Sequence, residues 1–442
     1  MGTAPSEEHP PSTPSVDSMA ATTIPAELAA ACADVAVAGE ADLIAGTRPG
    51  YVAAPASTAQ AAALLAAAAK LGLTVVARGS GSRQHWGSPP ARCDLVVDTR
   101  RLDRVIEHAA GDLVVQVQAG VGLDDLAAVL GTAGQQLALD PSPSGANGTG
   151  TVGGVLATNS TGPLRFRFGA PRDLLIGITV VRPDGVVARS GGKVVKNVAG
   201  YDLGKLFAGS YGTLGLITEA TFRLHPLPDA SAWLTLDLPD PESAAEVVHA
   251  ISASPLWPSA VELDWPSADA PLAVSVLLEG DEVSVAERSA RMQILVGREM
   301  ADPGAVPGGR APHDGTCVRV AFWVGQLERV LTTIRTAAVA NGVDPAIRGS
   351  AGAGTLDIGL AADVNLADVE RFVGELRAGL AALGAGGVVP SVASAVVLWA
   401  PPAVRETVDV WGPVSSLQLM RAVKDQFDPE HRMAPGRFAG GI

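Results

Sequence analysis

Two segments of this chain are dense in glycine, and such density usually marks backbone that lies against a ligand or bends with positive φ. The first covers residues 144–154 and the second covers residues 191–215. Hydroxyl and amide side chains lie between the glycines, which suits a ligand that carries phosphate or a polar ring edge. The pattern therefore predicts a binding site for such a ligand and indicates no catalytic residue.

Two common nucleotide-binding motifs do not fit their surroundings in this chain. Gly148, Gly150 and Gly153 have the spacing of a dinucleotide-binding turn, but the preceding residues 140–144, Asp-Pro-Ser-Pro-Ser, cannot form the buried strand that this turn follows. Lysines 193 and 205 each follow a glycine, but Val and Leu come next, where a phosphate-binding loop needs Ser or Thr. NAD and ATP are therefore disfavoured as ligands.

Four motifs in chain order resemble the FAD-binding domain shared by vanillyl-alcohol oxidase and p-cresol methylhydroxylase, the PCMH type. The resemblance covers residues 55–228 and implies that FAD is bound, without a covalent bond, by the matching positions. These positions are Arg78, Gly79, Ser80, Gly81 and Ser82 in the first loop, Gly150, Thr151, Gly153, Gly154, Thr158, Asn159 and Gly162 in the second segment, Arg167 and Gly169 with Asp173 after them, and Gly215 and Ile217 in a closing strand. Covalent attachment through His85 is the alternative, but His85 lies three residues beyond Ser82, which aligns with the covalent position.

Residues 194–202, Val-Val-Lys-Asn-Val-Ala-Gly-Tyr-Asp, resemble the small flavin subunit of bacterial glycolate oxidases more specifically. The C-terminal end of the chain, with Pro435, Gly436 and Arg437, is also similar to the C-terminal end of that subunit, although Ala434 stands where relatives commonly carry Asn. We predict that Lys196 stabilises the negative charge that reduction places on a flavin. The alternative is that Lys196 is a solvated surface lysine.

The resemblance implies an FAD-binding subunit of a glycolate oxidase or dehydrogenase complex, which takes part in oxidising glycolate, a 2-hydroxy acid, to glyoxylate and relays the electrons. It also implies two partners, a catalytic flavin subunit and an iron–sulfur subunit, in a cytoplasmic complex that reaches a membrane only through those subunits. Two alternatives stay open: a self-sufficient FAD-dependent oxidoreductase, and a structural subunit that binds no flavin. Related 2-hydroxy-acid dehydrogenases carry a histidine-pair metal motif, whereas His249 and His313 are isolated here, so no metal site is predicted.

Composition narrows the classes of partner. The 442 residues carry a net charge of −14, which argues against nucleic acid and against an anionic membrane surface. Three widely spaced cysteines, Cys32, Cys93 and Cys317, indicate neither a disulfide framework nor a metal site. No run of 18 apolar residues predicts a membrane-spanning helix, and residues 1–23 have the composition of a disordered tail.

The elements that position these motifs alternate in an α+β pattern rather than in a sustained β-α-β series. We expect helices at residues 24–43, 58–71, 123–130, 244–252, 368–383 and 417–427, and strands at residues 73–77, 94–98, 105–108, 113–118, 174–181, 186–188, 216–224, 233–238 and 273–278. Alternation over residues 216–224 predicts one buried face, and the two prolines of residues 225–228 predict the end of that sheet. The predicted fold is a two-subdomain PCMH-type FAD-binding domain at 24–228, a smaller α+β cap domain at 229–400, and a C-terminal segment at 401–442 that returns to the flavin domain.

Overall fold

The structure is a computed structural model, and it describes residues 23–143, 148–192, 202–304, 307, 315–384 and 393–442. Helices and strands form two domains and a C-terminal segment that packs back on the first domain, so the predicted fold class is confirmed. We propose domain boundaries at residues 228 and 400. Among the described helices, none has the length and apolar character that are needed to cross a membrane.

The first subdomain is built around a small mixed sheet. Its elements are α1 (Ala26–Ala31), β1 (Val35–Val37), β2 (Tyr51–Ala53), α2 (Thr58–Lys70), β3 (Val75–Arg78) and β4 (Leu95–Asp98). The strand order is β1-β2-β4-β3, with β2 and β3 parallel to β4. Helix α2 starts where the Ser57 side chain accepts a hydrogen bond from the Gln60 N–H, and alanine-rich turns then favour its continuation. Strand β3 therefore directs the loop after Arg78 to one edge of this sheet.

The helix predicted over residues 24–43 is wrong beyond Ala31. The chain turns extended at Cys32 and then forms β1, which pairs antiparallel with β2. Alanine-rich composition favours a helix only weakly, and pairing with a neighbouring strand overrides that preference.

The second subdomain carries an antiparallel five-stranded sheet of order β5-β6-β10-β8-β9. Its elements are β5 (Val105–Ala109), β6 (Val114–Gln118), α3 (Leu123–Gly131), β7 (Gln135–Gln136), α4 (Val152–Thr158), α5 (Arg165–Phe168), α6 (Pro171–Leu174), β8 (Leu175–Val181), β9 (Val187–Gly191), α7 (Gly204–Phe207), β10 (Leu216–Arg223) and β11 (His225–Pro226). Central strand β10 is buried on both faces, not on one as predicted, because α2 and α4 both pack against it. The five-stranded sheet ends at Arg223 as predicted, and Pro226 lies in β11, which forms a separate two-stranded ladder with β7.

The cap domain is an antiparallel seven-stranded sheet of order β12-β14-β13-β16-β17-β15-β18 with helices packed on it. Its elements are β12 (Ala230–Leu238), α8 (Pro241–Ser252), β13 (Ala260–Trp265), β14 (Leu272–Gly280), α9 (Glu282–Val296), β15 (Thr316–Ala321), α10 (Leu327–Asn341), β16 (Ala346–Gly349), β17 (Thr355–Leu360), α11 (Leu366–Ala382) and β18 (Ser394–Trp399). Apolar residues alternate along β13, β15 and β17 and point into the cap core. The residues between them face the opposite side of the sheet.

The C-terminal segment begins with α12 (Pro402–Thr407) and α13 (Leu417–Phe427). It then runs beside β3, where the Val75 N–H donates to the Arg432 carbonyl and the Ala434 N–H donates to the Val75 carbonyl, each at 2.8 Å. The last residues therefore extend the sheet of the first subdomain and come close to the loop that follows β3.

Candidate flavin site

A pocket of about 470 Å³ opens at the end of β3. Its walls come from four parts of the chain: the end of β3 with the loop after it, the start of helix α4 and that helix, the loop before β10, and the C-terminal segment. The lining residues are Ala77, Gly79, Ser80, Gly81, Ser82, Arg83, Gln84, Thr151, Gly154, Ala157, Thr158, Tyr211 and Arg437. The structure thus brings together the first predicted loop and part of the second, which are about seventy positions apart in the chain.

The loop after β3 presents donors that the protein itself does not use. In the part of the chain that the structure describes, the backbone N–H groups of residues 79–82 donate no hydrogen bond. The Ser80 hydroxyl is buried and has no hydrogen-bond partner there either. Buried donors without partners are costly, so this loop fits a ligand with several acceptor oxygens, such as a diphosphate.

Gly81 has the backbone shape that such a loop requires. Its φ is +81°, a conformation that residues other than glycine rarely adopt, and among the described residues no atom beyond its two chain neighbours lies within 4 Å of the position that a Cβ would take. The space beside Gly81 is therefore open to a ligand.

Arg83 holds the first loop against the second glycine-rich segment. Its guanidinium is buried and donates to the Ser82 and Ser160 hydroxyls and to the carbonyls of Thr149 and Ser142, over 2.9–3.2 Å. A Cβ on Gly150 would lie 2.6 Å from this guanidinium. The spacing of the glycines indicated a loop here, but the role of Arg83 in closing it was missed.

Several other glycines are required by contacts within the protein rather than by a ligand. A Cβ on Gly79 would lie 2.2 Å from the Thr151 hydroxyl, and one on Gly153 would lie 2.8 Å from Ala119. The N–H groups at the start of α4 are used as well, since Gly153 donates to Ala119 and Gly154 donates weakly to Thr151. These contacts explain why the positions carry glycine; Gly79 and Gly154 also line the pocket, and their binding of FAD stays a prediction.

Five predicted positions lie beside the pocket or away from it. The Arg78 guanidinium forms ion pairs with Asp42 and Asp98 and does not line the pocket. Asn159 ends α4 with φ +48°, and its side chain accepts a hydrogen bond from the Arg172 N–H. The remaining three serve other contacts, with Gly162 against Asp140, Arg167 bonded to Ser259 in the cap, and Gly169 against Asp173.

The predicted closing strand lies away from the pocket, and the lysine segment is not among the described residues. Gly215 and Ile217 lie at the start of β10, where Gly215 packs against the Val181 carbonyl, and neither residue lines the pocket. Lys196 and residues 194–201 lie outside the described residues, so the role predicted for Lys196 stays a prediction.

Arg437 is a pocket residue that the sequence analysis noted only as part of a motif. Its Nη2 donates to the carbonyls of Gln84 and Trp86 at 3.1 and 2.9 Å, whereas Nη1 is buried without a partner in the described structure. Burial lowers the pKa of Arg437 to about 10, so the side chain stays positively charged at neutral pH. An acidic protein thus places a cationic donor at this pocket.

Tyr211 was also missed, and it forms the wall beside Arg437. Its ring packs edge-on against Trp411 with centroids 5.0 Å apart, and burial raises the pKa of its phenol to about 12. The aromatic wall, the unused donors and Arg437 together fit a dinucleotide that combines flat rings with a diphosphate.

The fold is that of FAD-binding proteins of the PCMH type. The protein-family model described as "FAD binding domain" matches residues 49–191, which include both loops of the pocket. This region of the chain is therefore an FAD-binding domain, and the predicted cofactor, FAD, is confirmed.

Curated relatives and solved structures agree with that class. Glycolate oxidase subunit GlcD of Bacillus subtilis is 35% identical over 220 residues, which are 50% of this chain and 46% of the relative. Glycolate oxidase subunit GlcE of Escherichia coli is 35% identical over 175 residues, which are 40% of this chain and 49% of the relative. The matches thus span about half the length of these relatives or less. Substrate-bound p-cresol methylhydroxylase shares the fold, with a TM-score of 0.68 and 16% identity over 93% of this chain and 95% of that structure.

Proposed function

We propose that this chain is an FAD-binding subunit of a glycolate oxidase or dehydrogenase complex and takes part in oxidising a small 2-hydroxy acid. The observation that carries the proposal is the loop after β3, where four backbone N–H groups and the Ser80 hydroxyl have no partner among the described residues and lie at the same pocket as Arg437. The substrate class comes from the relatives, two of which are named as glycolate oxidase subunits.

The residues of the pocket would hold FAD by its most highly charged part. The N–H groups of residues 79–82 would donate to diphosphate oxygens, and Arg437 would balance their charge. When bound, FAD supplies an acceptor for the hydride that leaves an alcohol carbon. The protein's part is to place that acceptor and to exclude water with the cap domain.

The proposed assembly contains a catalytic flavin subunit and an iron–sulfur subunit beside this chain, in the cytoplasm, with a membrane reached only through those partners. A self-sufficient oxidoreductase is the second candidate. It is favoured by a polar pocket that lies between the FAD-binding domain and the cap of this same chain.

The test is to purify the full chain, release its flavin with acid, and follow glycolate-dependent dye reduction with and without the two partner subunits. We expect released FAD, with turnover only when the partners are added. Turnover by the chain alone would support the second candidate, and a colourless chain would contradict both.

Gly81→Val gives a sharper test of the loop, with Gly72→Val as its matched control. Both glycines have positive φ and open space around the Cβ position, so both substitutions strain the backbone similarly. Only Gly81 lines the pocket, so we expect FAD content to fall strongly in that variant and to stay normal in the control. Equal FAD content in the two variants would contradict the assignment of this loop.

A further inference from the structure

A second pocket of about 350 Å³ lies where the FAD-binding domain meets the cap sheet. One side comes from Ser142 and residues 161–165, and the other comes from strands β13, β15 and β17 with the turn between β16 and β17. The polar and charged residues that line it are Ser142, Thr161, Arg165, Glu262, Arg319, Ser350, Thr355 and Asp357. This pocket is smaller than the one at the end of β3, which favours a small ligand over a dinucleotide.

Strand alternation explains why these charges share one face. Along β13, β15 and β17, the apolar neighbours of Glu262, Arg319 and Asp357 point into the cap core. The charged residues between them must then point the other way, toward the FAD-binding domain. The pocket is therefore built by the register of the cap sheet.

The charges of Arg319 and Asp357 cancel each other. Arg319 Nε and Nη2 donate to the two carboxylate oxygens of Asp357 at 2.7 and 2.9 Å, a two-pronged pair across adjacent strands. Such a pair is rigid and saturates the carboxylate, so Asp357 is not available to a second cation.

Arg165 has no such counter-ion. Its Nη1 donates to the neutral hydroxyl of Thr355 at 2.8 Å, and no carboxylate forms an ion pair with it in the described parts of the chain. Burial lowers the pKa of Arg165 and the nearby charge of Arg319 lowers it further, while the negative charge of Asp173 acts in the opposite direction without forming an ion pair with Arg165. A largely buried cation that no described carboxylate contacts is unfavourable, so this position favours an anionic ligand.

Glu262 does not oppose an anion at neutral pH. Burial raises the pKa of this carboxyl to about 8, and the negative charges of Asp140 and Asp357 contribute to the increase. Glu262 is therefore mostly protonated at neutral pH, and a protonated carboxyl donates a hydrogen bond.

We propose that this pocket binds the carboxylate of the small 2-hydroxy acid, with Arg165 as its counter-ion. The proposal rests on the proposed function and adds that the acid is bound by this chain rather than by a partner subunit alone. Ser142 and Thr161, on the wall opposite the cap, supply acceptors and donors for the hydroxyl of the acid.

The position of the pocket supports this assignment. Trp86 lies between the two sites, with its ring 5.5 Å from the guanidinium of Arg83 and 5.6 Å from that of Arg319. Ser142 lines the second pocket and also accepts a hydrogen bond from Arg83, which lines the first. The two pockets are therefore neighbours, linked by Trp86 and by the hydrogen bond from Arg83 to the Ser142 carbonyl.

The test is titration calorimetry of glycolate into the FAD-loaded full chain. Glycolamide, which keeps the hydroxyl but lacks the carboxylate charge, is the ligand control. We expect glycolate to bind and Arg165→Met to weaken that binding by at least about 30-fold, since a charged hydrogen-bonded pair is lost. Arg165→Lys keeps the charge and should recover part of the affinity. Arg348→Met removes an arginine that is paired with Asp264 outside the pocket, so it should bind glycolate like the unmodified chain.

Unchanged glycolate affinity in Arg165→Met, with its FAD content intact, would overturn the proposal. So would equal binding of glycolamide, or no binding by a chain whose complex still oxidises glycolate. In each of these cases the proposed function stands. Loss of glycolate binding in Arg165→Met supports the assignment of the pocket even if the complex shows no turnover. The experiment therefore distinguishes failure of the pocket assignment from failure of the proposed function.

Discussion

We propose that buried arginines allow this acidic chain to bind an anion locally. The net charge of −14 would repel a diphosphate at long range, but solvent screens that repulsion within about 8–10 Å. Arg83 and Arg437 act at contact distance, where burial strengthens each hydrogen bond. Position and burial of single residues therefore outweigh the overall charge.

At Arg437, we expect the substitution Arg437→Met to weaken FAD binding by about 10- to 100-fold, because one charged donor to the cofactor is lost. The measurement is the dissociation constant of FAD, from quenching of flavin fluorescence by the apoprotein. Arg437→Lys should keep part of the affinity.

Arg421→Met is the matched control for Arg437→Met. Arg421 belongs to the same C-terminal segment, but it is exposed and donates only to the Gly440 carbonyl. Equal losses of affinity in the two variants would show that the segment as a whole, and not the Arg437 charge, supports the cofactor.

Among the elements, the C-terminal segment depends on one buried ion pair. Lys424 in α13 donates to Asp428 at 2.6 Å, to the Thr213 carbonyl at 2.7 Å and to the Met433 carbonyl at 2.9 Å. Lys424 is fully buried. The lysine thus joins the end of α13 to the loop before β10 and to the stretch that pairs with β3.

We expect Lys424→Met to lower the free energy of unfolding by about 3–5 kcal/mol, because Asp428 is left as a buried charge without its partner. FAD affinity should fall too, since Arg437 follows on the same segment. Urea unfolding followed by circular dichroism, together with flavin fluorescence, measures both effects.

Lys205→Met removes a lysine from an exposed ion pair with Asp202, and it should cost no more than about 1 kcal/mol. Replacing both Lys424 and Asp428 with apolar residues should recover part of the lost stability. A loss in Lys424→Met as small as that in the control would contradict the structural role of the pair.

For the whole molecule, the contact between the FAD-binding domain and the cap makes stability depend on pH. Glu262 faces that contact with 2% of its surface exposed, and its pKa is raised from 4.5 to about 8, chiefly by burial. The folded state therefore holds a proton that the unfolded chain releases above pH 4.5. The contribution of Glu262 to the free energy of unfolding is therefore fully present below pH 4.5 and is lost as pH rises through about 8.

As pH rises from about 5.5 to about 7.5, the free energy of unfolding of the unmodified chain should fall. We expect a smaller fall in Glu262→Gln, because a neutral amide carries no titrating proton. The difference should be about 1.4 kcal/mol for each pH unit within that window. Urea unfolding at several pH values measures it, and Glu328→Gln, at an exposed position of α10, is the control. Parallel pH curves for the two variants would contradict the burial of a protonated Glu262.

The sequence by itself determined the cofactor class and about half of the elements, chiefly those of the FAD-binding domain. Residue patterns predicted α2, α13 and the strands β3 to β6 and β8 to β10, because buried faces impose their period on the residues, but they did not predict β7. Motifs in the correct order predicted an FAD-binding domain, since loops that approach a diphosphate require particular small residues at particular spacings. The helix predicted from alanine-rich composition was wrong at residues 32–43, where the pairing of β1 with β2 determines the structure.

Only the tertiary structure decided which of those small residues face the ligand. Gly153 and Gly169 are needed by neighbouring protein atoms, whereas Gly81 faces open space. The tertiary structure also brings Arg437 to a loop some 350 positions earlier in the chain, and it brings Arg165 to strands of the cap. Such pairings depend on how sheets stack and where a segment returns, and local residue patterns carry no record of contacts between distant parts of a chain.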